Sequence, residues 1–124
     1  MKKIIFDTNF LIDLIRFKIG LETFFDIVNE PVNFATTQNV LNELKNLANS
    51  KREESKQAKI ALELITIKDF KIIKTGERKV DEELIKIADE NTIVATNDIG
   101  LRERLKGRKV KTIYLRAKKY LAIS

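Results

Sequence analysis

The stretch TIVATNDIGLRERLKGRKVKTIYL, residues 92–115, decides the fold. Thr92 to Thr96 is a short β-branched run that predicts a strand, and Asn97-Asp98 breaks it. Ile99 to Lys106 predicts a short helix, and Val110 to Leu115 a second strand. A strand, a helix and a strand within so few residues form the right-handed crossover that joins parallel strands.

The same alternation continues upstream. KKIIFD at 2–7 predicts a buried strand ending at Asp7, and Phe10, Leu11, Leu14, Ile15 and Phe17 follow helical spacing. Leu21 to Val28 predicts another helix. Pro31 then interrupts the chain before a strand at Val32 to Thr36. Thr36 or Thr37 can cap a helix whose apolar arc is Val40, Leu41, Leu44, Leu47 and Ala48. Lys51 to Ile65 predicts a charged amphipathic helix, and Phe70 to Ile73 a third strand. After a turn at Gly76, a helix is expected from about Asp81 to Glu90. No linker or repeat divides residues 1–124, so one α/β domain is expected, its mainly parallel sheet covered on both faces. In such sheets functional groups gather beyond the carboxyl ends of the strands.

Composition narrows the chemistry. The 124 residues contain no histidine and no cysteine. That excludes a Ser-His-Asp triad, a thiolate nucleophile, and metal sites built on imidazole or sulfur. Apolar runs fall far short of a bilayer span. Met1-Lys2-Lys3 leads into a short apolar run that meets Asp7 at once, which is not a signal peptide, so a cytoplasmic location and no membrane partner are expected. The net charge is +6, yet residues 101–124 hold nine basic residues and one acid and are net +8. A basic segment on a slightly acidic body points to an anionic partner, nucleic acid first; a solvated basic face is the plainer alternative.

Four acids are candidates for the site. Asp7 ends the first strand and Asp98 follows the fourth, so both are expected at the carboxyl edge of the sheet. Either can equally be an ordinary helix cap. With Leu84 at zero on a helical wheel, the arc of Ile85, Ile87 and Ala88 runs from about −60° to about +100°. Asp81 falls inside it near about +60°, which predicts a core-facing carboxylate or, alternatively, an N-cap. Glu82 and Glu83 read as favourable charges at a helix N-terminus. Glu43 falls beside the apolar arc of its own helix, as a site residue or a solvated flank. Carboxylates gathered at one edge require counter-charge. Lysine or arginine would make a structural network. A hard cation such as Mg²⁺ or Mn²⁺ would instead supply Lewis acidity for phosphodiester hydrolysis.

FDTNFLIDLI at 6–15, LNELKNL at 41–47, VDEELIKIAD at 80–89 and VATND at 94–98 together resemble the successive motifs of a PIN domain. The resemblance covers nearly the whole chain. It implies a three-layer α/β/α sandwich and an Mg²⁺- or Mn²⁺-dependent endoribonuclease leaving a 5′-phosphate and a 3′-hydroxyl. It also implies that Asp7, Glu43, Asp81 and Asp98 are the catalytic, metal-binding acids, with Thr8, Asn9 and Thr96 supporting them. Arg102, Arg104, Lys106 and Arg108 follow Asp98 closely enough to be expected on flanking RNA phosphates.

The segment from Val94 to Arg116 resembles archaeal PIN proteins of the rRNA-processing group. VapC-type toxins, usually alanine-rich where this chain has ELIKIAD, are the alternative reading. A non-cleaving PIN-like module that binds RNA or protein is a second alternative. A receiver domain is disfavoured, because Phe6-Asp7-Thr8 lacks adjacent acids and the third strand runs into Lys74-Thr75-Gly76 rather than an aspartate. The expected partners are RNA, an antitoxin or ribosome-assembly factor, and a second copy of the chain through Leu121 and Ile123.

Overall fold

A computed structural model describes residues 1–124. The elements are β1 (Lys2–Phe6), α1 (Thr8–Arg16), α2 (Glu22–Val28), β2 (Val32–Thr37), α3 (Gln38–Ala48) and α4 (Ser55–Ile67). They continue with β3 (Lys71–Ile73), α5 (Val80–Ile87), β4 (Thr92–Ala95), α6 (Ile99–Gly107), β5 (Lys111–Arg116) and β6 (Tyr120–Ile123). The sheet order is β3-β2-β1-β4-β5-β6. Every pairing is parallel except β5 with β6.

Central parallel strands are buried on both faces, which explains why Ile4, Ile5 and Phe6 are all fully buried, as are Val94 and Ala95. Alternate residues feed different layers. Ile4 and Phe6 join a cluster of 19 buried residues with Phe10, Phe24, Val40, Leu44 and Ala61, contributed by α1 to α4. Ile5 and Val94 join a smaller cluster with Leu84, Leu101 and Leu105 of α5 and α6. The result is the expected three-layer α/β/α arrangement. Phe6 is the hub of the larger layer, with the rings of Phe10, Phe24, Phe34 and Phe70 centred 5.2–6.0 Å away.

Several boundaries differ from the sequence expectation. α5 stops at Ile87, because Asp89 Oδ1 accepts from the Asn91 N–H and the Thr92 hydroxyl, both at 2.9 Å, and turns the chain into β4. β6 was not expected. It folds back on β5, pairing Leu121 with Leu115, and packs the partly buried Leu121 against the main core, while Ile123 stays 37% exposed. No helix is long and apolar enough to cross a membrane.

The chain leaves β1 towards β2 on one side, and β4 pairs with β1 on the other. This reversal of winding opens a crevice at the carboxyl ends of β1 and β4.

Candidate functional site

The crevice is a cleft of about 780 Å³, and Asp7, Glu43, Asp81 and Asp98 all line it. They reach it from four separate segments. Asp7 follows β1 and caps α1, its Oδ1 accepting from the Phe10 N–H at 2.7 Å. Asp98 lies beyond β4 and caps α6, its Oδ1 accepting from the Leu101 N–H at 2.9 Å. Glu43 stands on α3, where its Oε1 accepts a hydrogen bond from the Thr8 hydroxyl. Asp81 stands in the first turn of α5. The capping alternative thus holds for Asp7 and Asp98 alongside their place in the cleft, since a capping oxygen leaves a second carboxylate oxygen.

Asp7 has the most perturbed environment. It is 6% exposed. Burial is the main reason its pKa is pushed up from 3.8 to about 7. Hydrogen bonds from the Thr96 hydroxyl and the Phe10 N–H work against the rise, while the charges of Asp81 and Asp98 add to it. Asp81 is raised as well, first by partial desolvation and then by Asp98, with Arg104 opposing. The acids therefore feel one another across the cleft.

Asp81 does not face the core. Its side chain is exposed on the cleft wall, and Glu83 is the buried carboxylate of α5 at 1% exposure. A helical wheel gives a direction around the axis but not a depth along it. The first turn of α5 reaches the cleft, so the direction that meets core at Leu84 meets solvent at Asp81. Glu83 instead fills a gap between α3 and α5. Its Oε2 accepts from Thr75 Oγ1 at 2.6 Å and Asn39 Nδ2 at 3.1 Å, while Oε1 is buried without a partner.

The supporting residues divide their work. Thr8 holds Glu43, and the fully buried Thr96 accepts from the Asp98 N–H at 3.1 Å through its hydroxyl. Asn9 is exposed on the cleft rim. Of the four basic residues expected near RNA, only Arg104 lines the cleft, and it is paired with Glu82 at 3.0 Å. Arg102 is stacked on the Tyr114 ring at 3.5 Å, and Lys106 and Arg108 are exposed elsewhere.

Three cleft residues escaped the sequence reading. Arg78 and Lys79 enter from the loop before α5. They lie far from the basic tail, and nothing in their local pattern marks them. Asn97 links three elements, donating to Asp13 Oδ2 at 2.9 Å and accepting from the Leu115 N–H at 2.8 Å. Its position between Thr96 and Asp98 was the available signal.

The donors are all oxygen, which suits a hard cation. No three acids converge closely enough to enclose an ion by direct bonds.

The same architecture occurs in known proteins. The chain is 32% identical to Ribonuclease VapC4 of Methanocaldococcus jannaschii, over 99% of this chain and 97% of that protein. The structure of the PIN domain endonuclease Utp24 superposes with a TM-score of 0.78 at 21% identity, covering 98% of this chain and 90% of the other. VapBC2 from Rickettsia felis, in a crystal with a DNA fragment from its promoter, superposes with a TM-score of 0.59 at 16% identity, over 92% and 99% of the two chains. At these identities the two structures share the fold. A family model described as a PIN like domain matches residues 4–118, a span that takes in all four acids, and the chain belongs to that family.

Proposed function

We propose that this protein is a divalent-metal-dependent endoribonuclease that hydrolyses RNA phosphodiester bonds in the cleft beyond β1 and β4. The observation that carries the reading is the convergence of Asp7, Glu43, Asp81 and Asp98 from four segments on one cleft. In this reading the four acids hold Mg²⁺ or Mn²⁺, directly or through water. The ion supplies counter-charge and Lewis acidity when bound. Asp7 is buried with its pKa pushed up to about 7, which adds to the site's need for a counter-charge. Thr8 keeps Glu43 turned into the cleft, and Thr96 fixes the Asp98 backbone. Arg78 and Lys79 form no ion pair in the structure and meet the phosphates of the strand at the rim.

The test is cleavage of single-stranded RNA with Mn²⁺, compared with chelator and with Asp7→Asn. Loss of cleavage in both comparisons supports the reading, and full activity in Asp7→Asn overturns it. A chain that binds RNA but never cuts it would be the binding module.

The full-length likeness to a VapC ribonuclease favours a toxin-type enzyme with an antitoxin partner. The rRNA-processing reading rests on the basic tail, which contributes only Arg104 to the cleft. Sequencing the RNA ends produced on expression separates the two.

A further inference from the structure

A second groove, of about 610 Å³, runs from the acid cleft over α1 and the loop that joins α3 to α4. The two are continuous, because Thr8, Asn9 and Glu43 line both. Ile12 and Leu47 are its only apolar lining, and polar side chains make up the rest. Arg16 and Arg52 stand on it with Asn9 and Asn46, all four exposed.

Arg52 is the informative residue. It forms no ion pair and no side-chain hydrogen bond within the protein. Its backbone is nevertheless fixed, since its N–H donates to Ser50 Oγ at 3.2 Å and its carbonyl accepts from the Ser55 N–H at 3.1 Å. An exposed guanidinium without a partner is free to take an anion, and its planar fork suits a phosphate. Arg16 is only loosely held by Asp13, at 3.6 Å. Asn9 and Asn46 offer both donors and acceptors to a nucleobase edge, as single-stranded RNA recognition requires.

We infer that this groove is a subsite for the single-stranded RNA on one side of the scissile phosphate, with Arg52 and Arg16 on backbone phosphates and Asn9 and Asn46 against bases. The inference rests on the ribonuclease reading and adds a direction to it. The strand enters past Arg78 and Lys79, crosses the acids, and leaves over α1 towards Arg52. The acids Asp13, Glu43 and Glu54 also line the groove, so a polyanion is held by the arginines locally rather than by a general positive field. A cation held by the acids would offer the phosphates of RNA a partner in the carboxylate cleft, which is why RNA is the better occupant.

The experiment measures binding of a fluorescein-labelled unstructured RNA of about twelve nucleotides by anisotropy, in the Asp7→Asn background so that no cleavage intervenes. Arg52→Glu should weaken binding at least fivefold and reduce the slope of log affinity against log salt by about 0.7, the loss of one phosphate contact. Lys59→Glu, an exposed change on α4 outside both clefts, should stay within twofold. Equal binding by the Arg52→Glu and Lys59→Glu proteins overturns the subsite. If Arg52→Glu has no effect while the unaltered protein cleaves RNA with Mn²⁺, the subsite falls and the ribonuclease reading stands. If the unaltered protein neither binds nor cleaves RNA, both fall.

Discussion

Asp7 directly follows β1 and Asp98 lies a little further beyond the neighbouring parallel strand β4, and each commits its Oδ1 to capping the helix that follows, at 2.7 Å and 2.9 Å. The pairing of Phe6 with Ala95 sets Asp7 alongside Thr96, so both acids converge at the crevice where the winding of the sheet reverses. The caps fix the two carboxylates before any ligand arrives. Burial of the first and mutual repulsion among the acids then leave the site short of positive charge.

That shortage predicts a stability effect. The folded-state pKa of Asp7 is raised, so its contribution is fully present below the ordinary value of 3.8 and is lost as pH rises through about 7. The gap corresponds to about 4 kcal/mol at most. Asp7→Asn keeps the capping oxygen without the charge. In chelator, urea denaturation should show Asp7→Asn more stable than the unaltered protein at pH 8, with the difference closing towards pH 4. A less stable Asn variant at pH 8 would contradict this account.

Cation binding should reverse the penalty. Saturation at a hundredfold excess over Kd stabilises the folded state by about 2.7 kcal/mol. Thermal denaturation should therefore show Mn²⁺ raising the Tm of the unaltered protein by several degrees and moving that of Asp7→Asn much less. An identical rise in both would place the ion elsewhere.

Thr8 is buried and donates to Glu43, so Thr8→Val removes a hydrogen bond while keeping the shape. RNA cleavage should fall by about tenfold, the loss of roughly 1.4 kcal/mol of positioning. Thr8→Ser should recover most of it. Unchanged kcat in Thr8→Val would show that Glu43 needs no such support.

Glu83 gives a structural counterpart. Glu83→Ala strips Thr75 of its acceptor and Asn39 of one, and should destabilise the protein by about 2–3 kcal/mol. Glu83→Gln keeps an acceptor oxygen and should lose less, as denaturant midpoints would show. Equal losses would mean that the cavity rather than the hydrogen bonds sets the cost.

The apolar runs Ile4 to Phe6 and Ile93 to Ala95 made the parallel sheet legible, because strands covered on both faces have no room for polar side chains. The acids Asp7 and Asp98 were legible for the same reason, as the first carboxylates after such runs. β6 was not legible. Its hairpin turns through Ala117 and Lys118 at φ 52° and 57°, a left-handed turn without the glycine or asparagine that usually marks one. The depth of Asp81 and Glu83 was hidden because periodicity fixes an angle and not a distance from the core. The bond between Thr8 and Glu43 joins residues 35 positions apart, and the Arg102 guanidinium lies over the Tyr114 ring rather than on the cleft. Local sequence thus determined the elements and the chemistry available to them. Only tertiary structure decided which charges share a cleft, because strand order and helix depth are set by the packing of distant segments.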